Sequence, residues 1–170
     1  YLIKNSKTPL AEIETLNVFI SQNNFFNKES TKINEVFIKE ANFFLLSNDF
    51  KTFYKNSENK FSQKKIKINN SNIFFKDNLN EVISIVKISK AFLFFDEENL
   101  FNLFNLNGEV FNLPFKLNYQ NKINSQKKIE IKVPDIKLKI INEFLKKDED
   151  LNNGMNNISI QNSSINTKYS

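Results

Sequence analysis

Apolar and polar residues alternate along much of this chain, most sharply between 65 and 141. In 109–119, Phe111, Leu113, Phe115, Leu117 and Tyr119 take every second position, with Asn112, Pro114, Lys116 and Asn118 between them. A period of two sends successive side chains to opposite faces of an extended backbone, so this run predicts a strand with one apolar and one solvated face. Ile129, Ile131 and Val133 repeat the pattern against Lys128, Glu130 and Lys132. After Pro134-Asp135, so do Ile136, Leu138 and Ile140 against Lys137 and Lys139. Upstream, Ile66 and Ile68 alternate with lysines. Asn69-Asn70-Ser71-Asn72 predicts a bend, Ile73-Phe74-Phe75 resumes the strand, and Lys76-Asp77-Asn78 predicts a turn. The β-rich run 82–95 shifts its inward set between Ile83/Ile85 and Val86/Ile88, which predicts a bulge or sharp bend.

The punctuation supports the same reading. Asp96-Glu97-Glu98-Asn99 is a polar turn, and Phe101, Leu103, Phe104 and Leu106 make the next strand. Asn107-Gly108 is the strongest hairpin signal in the chain, because both positions tolerate positive φ. Pro114 in the following strand predicts an edge or an irregularity, since proline cannot donate to a ladder. Residues 120–126 read as a loop. Before 65, strands are predicted over 13–20 and 33–46, the latter with Lys39-Glu40 between two apolar clusters and a polar break ahead of it. Phe50, Phe53 and Tyr54 suit a helical turn, and 56–63 is a loop. Past 140, Ile141, Phe144 and Leu145 have helical spacing and predict a short helix ending near Lys147. The expectation is mainly β: an antiparallel meander of about ten strands, neighbours in sequence pairing in space, with at most one or two short helices. It divides into a β-rich segment 1–147, a polar linker 148–157 and the start of a further strand segment, 158–170, marked by Ile158, Ile160 and Ile165.

Composition narrows the chemistry. At 170 residues the chain is long enough for a real core. All 24 basic residues are lysine, and 19 residues are phenylalanine. With Ile, Asn and Tyr these are AT-rich-codon residues, so part of the bias reflects the genome. The net charge of +5 raises nucleic acid or anionic lipid as partners. Nucleic acid is disfavoured on two grounds. No arginine supplies bidentate contacts, and lysines and aromatics fall on opposite faces of the same strands, so a base could not stack where its phosphate is held. With no cysteine and no histidine, disulfides, thiolate chemistry, the commonest general base and the commonest metal ligand are missing. No run approaches the ~18 apolar residues of a membrane helix.

The remaining candidate sites read as structure. Asp96-Glu97-Glu98 and Asp148-Glu149-Asp150 lack the spacing and internal glycine of a calcium loop, and two glycines in the whole chain cannot build a phosphate cradle. No catalytic residue, metal ligand or cofactor is assigned. What is left is the apolar strand faces, which suit either a closed core or a surface that stays open to hold something apolar.

A family resemblance bears on that choice. Lys65-Ile-Lys-Ile-Asn-Asn-Ser-Asn-Ile-Phe-Phe-Lys-Asp77 resembles a recurring phrase of AsmA-like proteins, which follow it with an apolar strand (here 82–95). Then come a strand, a glycine and a return strand, here Phe101-Asn-Leu to Gly108-Glu-Val-Phe-Asn-Leu-Pro-Phe-Lys-Leu117. Ile33-Asn-Glu-Val-Phe-Ile-Lys-Glu-Ala-Asn-Phe-Phe-Leu45 is similar to the family's preceding strands, so the resemblance covers about residues 10–141. It implies a non-enzymatic Gram-negative envelope protein, held in the inner membrane by an anchor and projecting into the periplasm. Its strands would form a long, curved, taco-like sheet with an apolar groove that carries phospholipid between the two membranes. The partners implied are phospholipid acyl chains, and the groove residues would be Phe111, Leu113, Phe115, Leu117, Ile129, Ile131, Val133, Ile136, Leu138 and Ile140. Beginning at Tyr1 rather than Met, the chain reads as a piece of a longer protein whose anchor lies upstream. Two alternatives stay open. One is a periplasmic protein-interaction domain resembling that of division proteins, which share a strand–Gly–x–Val–Phe hairpin followed by Leu-Pro, like Gly108-Glu-Val-Phe-Asn-Leu-Pro114. The other is a closed β-sandwich surface module.

Overall fold

A strand with one apolar side can shelter it only by lining up with others in the same parity. Ten strands do so in the computed structural model, which describes residues 10–21, 32–46, 49, 59–122, 125–148 and 151–169. They are β1 (Ala11–Ile20), β2 (Ile33–Leu46), β3 (Lys65–Lys76), β4 (Val82–Asp96), β5 (Phe101–Val110), β6 (Leu113–Lys122), β7 (Gln126–Val133), β8 (Leu138–Asp148), β9 (Leu151–Ile160) and β10 (Ser163–Tyr169), with a 3-10 turn at Pro134–Ile136. All ten join one sheet in sequence order. Strands pack chiefly against their neighbours in the sheet, so it is a single layer. It is curved, mostly antiparallel and not closed into a barrel.

The structure departs from the predicted meander in four places. β2 and β3 pair in parallel, Ile38 opposite Ile68 and Phe43 opposite Ile73, an arrangement for which the sequence separation between the two strands is long enough. The predicted helical turn at Phe50, Phe53 and Tyr54 falls outside the described residues. Residues 141–147 belong to strand β8, not to a helix, since β7 on one side and β9 on the other pair with them. Of the predicted polar linker 148–157, residues 151–157 lie in strand β9, paired with β8 from Leu138–Ile160 to Asp148–Leu151. Asparagine-rich composition hid it: Asn142 bonds Asn156 at 2.5 Å, and Asn157 bonds Asn166, so side-chain amides tie these strands together where apolar contacts are few.

The fourth departure concerns Gly108. The β5–β6 hairpin turns at Phe111-Asn112, whose φ values of 50° and 60° between the paired Val110 and Leu113 mark a two-residue primed turn. Gly108 lies inside β5 and has no positive φ. Its role is close approach. A Cβ there would sit 2.6 Å from the Lys87 carbonyl oxygen and 3.2 Å from the Phe115 ring.

That crowding belongs to a crease running across the sheet. Glu40 and Asn70 have left-handed φ of 57° and 47° and lie at one level of the β2–β3 ladder, between the pairs Lys39–Asn69 and Asn42–Asn72. The β4–β5 register shifts at the same level, between Ile88 and Lys90, somewhat after the place where the alternation in β4 predicted it. A residue out of pleat at this level restores the inward set beyond the bend: Ser71 pairs with Ile88, and Ile68 with Ala91. The Ser71 hydroxyl repairs the ladder, accepting from the Ala41 N–H at 3.0 Å and donating to the Asn69 carbonyl at 2.8 Å. Small residues fill the inner angle, with Ala41, Ser71, Ala91 and Gly108 all buried. Gly108→Ala should therefore cost about 2 kcal/mol, the usual penalty for overpacking a filled site. Thermal denaturation should show it as a melting point lower by roughly 4–8 °C, whereas a freely rotating turn glycine would tolerate alanine far better.

Candidate functional site

Residues opposite one another in a ladder share a face of the sheet. One row can be followed from edge to edge: Leu16, Ile38, Ile68, Ala91, Leu106, Leu117, Ile131, Ile140, Ile158 and Ile165, each the cross-strand partner of the next. All ten positions are apolar. At ~4.8 Å per strand the row spans roughly 43 Å.

Coverage varies along the row. At the crease Ile88, Ala91 and Leu106 are buried, with Phe43, Ile68, Ile73, Phe104, Phe115 and Leu117 packed around them. Toward β10 the same face opens: Ile131 and Ile140 are half-buried, Ile158 is 42% exposed and Ile165 65%. The face is thus a plugged centre continuing into an uncovered apolar surface on β6 to β10.

One end of the face is closed. Residues 59–62 lap across β4 to β6: the Phe61 N–H donates to Asn102 Oδ1 at 2.8 Å, Asn102 Nδ2 donates to the Asn59 carbonyl at 2.8 Å, and the Phe95 N–H donates to the Ser62 carbonyl at 2.8 Å. The Phe61 ring packs near Tyr119, centroids 6.4 Å apart, and Lys60 Nζ sits 4.1 Å from the Phe95 centroid. Asn102, Asn121 and Lys127 are buried in this end, with Lys127 Nζ 5.8 Å from the Phe144 centroid. The opposite end, where Val110 meets Leu113 and Val133 meets Leu138, is apolar up to its turns.

Of the predicted groove residues, Leu113, Phe115, Leu117, Ile129, Ile131, Val133, Leu138 and Ile140 lie on strands β6 to β8 of this face. Phe115 and Leu117 serve the crease cluster. Phe111 does not belong: it is a turn residue, 77% exposed, because the hairpin closes four residues later than Asn107-Gly108 implied. Ile136 is in the 3-10 turn rather than a strand, since Pro134 opens the turn and Lys137, at φ 50°, ends it. Sequence reasoning omitted Ile158, Ile160 and Ile165 from the face. Their own alternation was the available signal. Pro114 lies where pairing is incomplete, as β6 meets β7 only from Lys116 onward.

The other face is charged and paired. Lys67 meets Glu35 at 2.6 Å, Lys87 meets Glu109 at 2.8 Å, and Lys128 meets Glu143 at 2.6 Å. Phe44 and Phe74 stack on it, centroids 5.4 Å apart, with Lys76 Nζ 4.7 Å from the Phe44 centroid. Lys65 Nζ lies 4.8 Å from the Phe94 centroid, so on β2 to β4 lysines and aromatics share this face instead of parting to opposite faces as the alternation predicted. Partial burial pushes the Glu130 carboxyl up, but hydrogen bonds from Lys132, Lys139 and Asn118 outweigh it and hold the group below its ordinary value. A depression of about 310 Å³ on this side is lined by Asn99, Phe101, Gln120, Lys122, Gln126 and Lys128, and is polar where the opposite face is greasy. The Asp96 carboxylate is occupied by its own turn. It accepts from the Asn99 side chain at 3.0 Å and from the Asn99 and Glu98 N–H groups at 3.1 and 3.0 Å, and these bonds lower its pKa. Among the described residues no three acidic, His or Cys side chains converge as a metal would need, and no helix is long and apolar enough to cross a membrane. Comparison with protein-family models, with curated proteins and with solved structures finds no match for this chain.

Proposed function

We propose that this chain is a non-enzymatic segment of a lipid carrier, whose apolar sheet face shelters phospholipid acyl chains in transit. The observation that carries the reading is the apolar row crossing all ten strands of a single-layer sheet, uncovered toward β10. Acyl chains need only such a surface. They have no polar groups to orient, and sheltering them returns ~25 cal/mol per Å² removed from water. Chemistry of this kind requires no constellation of polar side chains. The resemblance to AsmA-like proteins extends the reading to phospholipid traffic between the inner and outer membranes of a Gram-negative envelope, with the chain in the periplasm and tethered to the inner membrane.

A photo-crosslinking side chain at Ile131 or Ile140 should label phospholipid in living cells, read by mass spectrometry of the adduct. Adducts to protein alone would sink this reading and favour an interaction module whose partner covers the face.

A further inference from the structure

On the charged face, Lys116, Lys132 and Lys139 stand directly opposite one another on β6, β7 and β8. Like charges in direct cross-strand opposition destabilise a sheet, so this row runs against the fold's own interest. Lys132 and Lys139 share one carboxylate, Glu130 Oε1, at 3.2 and 3.3 Å. Lys116 makes no ion pair with any described residue. Lys137 adds a fourth, exposed ammonium in the adjoining turn. Against these four cations stand Glu130, Asp135 and, diagonal to Lys116 on β5, Glu109, itself paired with Lys87.

The position matters as much as the charge. Each lysine of the row is the sequence neighbour of an apolar residue on the opposite face, Lys116 of Leu117, Lys132 of Ile131 and Lys139 of Ile140. All three lie within two residues of the open, apolar end of the sheet, at Pro114, Pro134 and Lys137. The lip there thus has hydrocarbon on its inside, at Leu113, Val133, Leu138 and Ile160, and ammonium groups on its outside. The far end of the same face is capped by residues 59–62 and offers no such opening. From Leu113 at the lip to Tyr119 at the closed end, the inner face of β6 measures roughly 20 Å at ~3.3 Å per residue, enough for the ~15 Å of hydrocarbon that one bilayer leaflet holds.

We infer that this lip is a headgroup site: the phosphate of a phospholipid binds Lys116, Lys132, Lys139 and Lys137 while its acyl chains lie on the inner face along β6 to β8. This rests on the acyl-groove reading and adds to it where the lipid enters and which way it points. The lipid lies crosswise to the groove, headgroup outward over the lip, tails running toward the closed end at Tyr119 and Lys127. An ammonium–phosphate contact is a charge-assisted hydrogen bond, partly screened by salt at this exposed lip.

The test compares phosphatidylglycerol with diacylglycerol carrying the same fluorescent acyl chain, titrated into the full chain at low salt. Phosphatidylglycerol should bind about 10-fold more tightly, equivalent to 1.4 kcal/mol. Lys116→Gln should remove a good part of that advantage, and the triple variant Lys116→Gln/Lys132→Gln/Lys139→Gln all of it, with diacylglycerol affinity unchanged and the single variant melting no lower than the parent. Equal affinity of the parent for the two lipids would overturn the headgroup site and leave the groove reading standing. Failure of both lipids to bind would overturn the two together. A triple variant that loses both lipids in parallel would also count against the site. So would inorganic phosphate that perturbs the lysine resonances while phosphatidylglycerol shows no advantage, since the lysines would then be a free-anion site only.

Discussion

Ile88→Asp is expected to abolish folding. Ile88 is 4% exposed at the crease, pairs with Ser71 on one side and Gly108 on the other, and anchors the cluster with Ala91 and Leu106. A carboxylate there would be buried among the apolar side chains of Phe43, Ile73 and Phe115. The loss combines the isoleucine's packing with an unpaired buried charge and exceeds about 4 kcal/mol, a large share of the ~5–15 kcal/mol that holds a domain of this size together. The variant should show no cooperative thermal transition by circular dichroism. Ile88→Val, which removes one methylene, should cost only about 1 kcal/mol. An Ile88→Asp protein that melts cooperatively near the parent temperature would show that the crease is not the core of this sheet.

The crease also shows what could and could not be read beforehand. Asn69-Asn70-Ser71-Asn72 announced a bend, and the bend is there, because asparagine accepts the left-handed φ that Asn70 adopts. Glu40, at the same level, gave no comparable signal. A glutamate is an ordinary strand-edge residue until a parallel neighbour with its own kink forces it out of pleat. The parallel pairing itself was hidden, since alternation is identical in parallel and antiparallel strands and only the path over 47–64 decides between them. Asn107-Gly108 misled for a related reason. Glycine marks either a positive φ or a close approach, and the atoms approached, the Lys87 carbonyl and the Phe115 ring, come from other strands. Once the turn moved to Phe111-Asn112, Phe111 left the groove. The inner face elsewhere was legible at Leu113, Leu117, Ile131 and Ile140, since period two survives any choice of partner. Its plugged centre and open flank were not, because coverage depends on what lies across the sheet rather than along the strand.

Ile140→Asp should do the reverse of Ile88→Asp: leave the fold and remove the proposed lipid binding. Ile140 lies between Ile131 and Ile158 on the open flank, half-buried, with no second layer of described residues above it. Water can solvate a carboxylate at that position in the empty protein, so the melting temperature should fall by only a few degrees. An acyl chain lying over β6 to β8 would have to cover the same carboxylate, and placing an aspartate in hydrocarbon costs about 2.5–3.5 kcal/mol on the membrane-insertion scale, or roughly a 100-fold loss of lipid affinity. Binding of a fluorescent phospholipid and thermal melting, measured on the same preparation, separate the cases. If the variant unfolds like Ile88→Asp, the flank is a closed core and the groove is wrong. If it folds and binds lipid as the parent does, acyl chains do not pass this way. Lost binding on an intact fold is the outcome that an uncovered apolar row predicts, and a buried one does not.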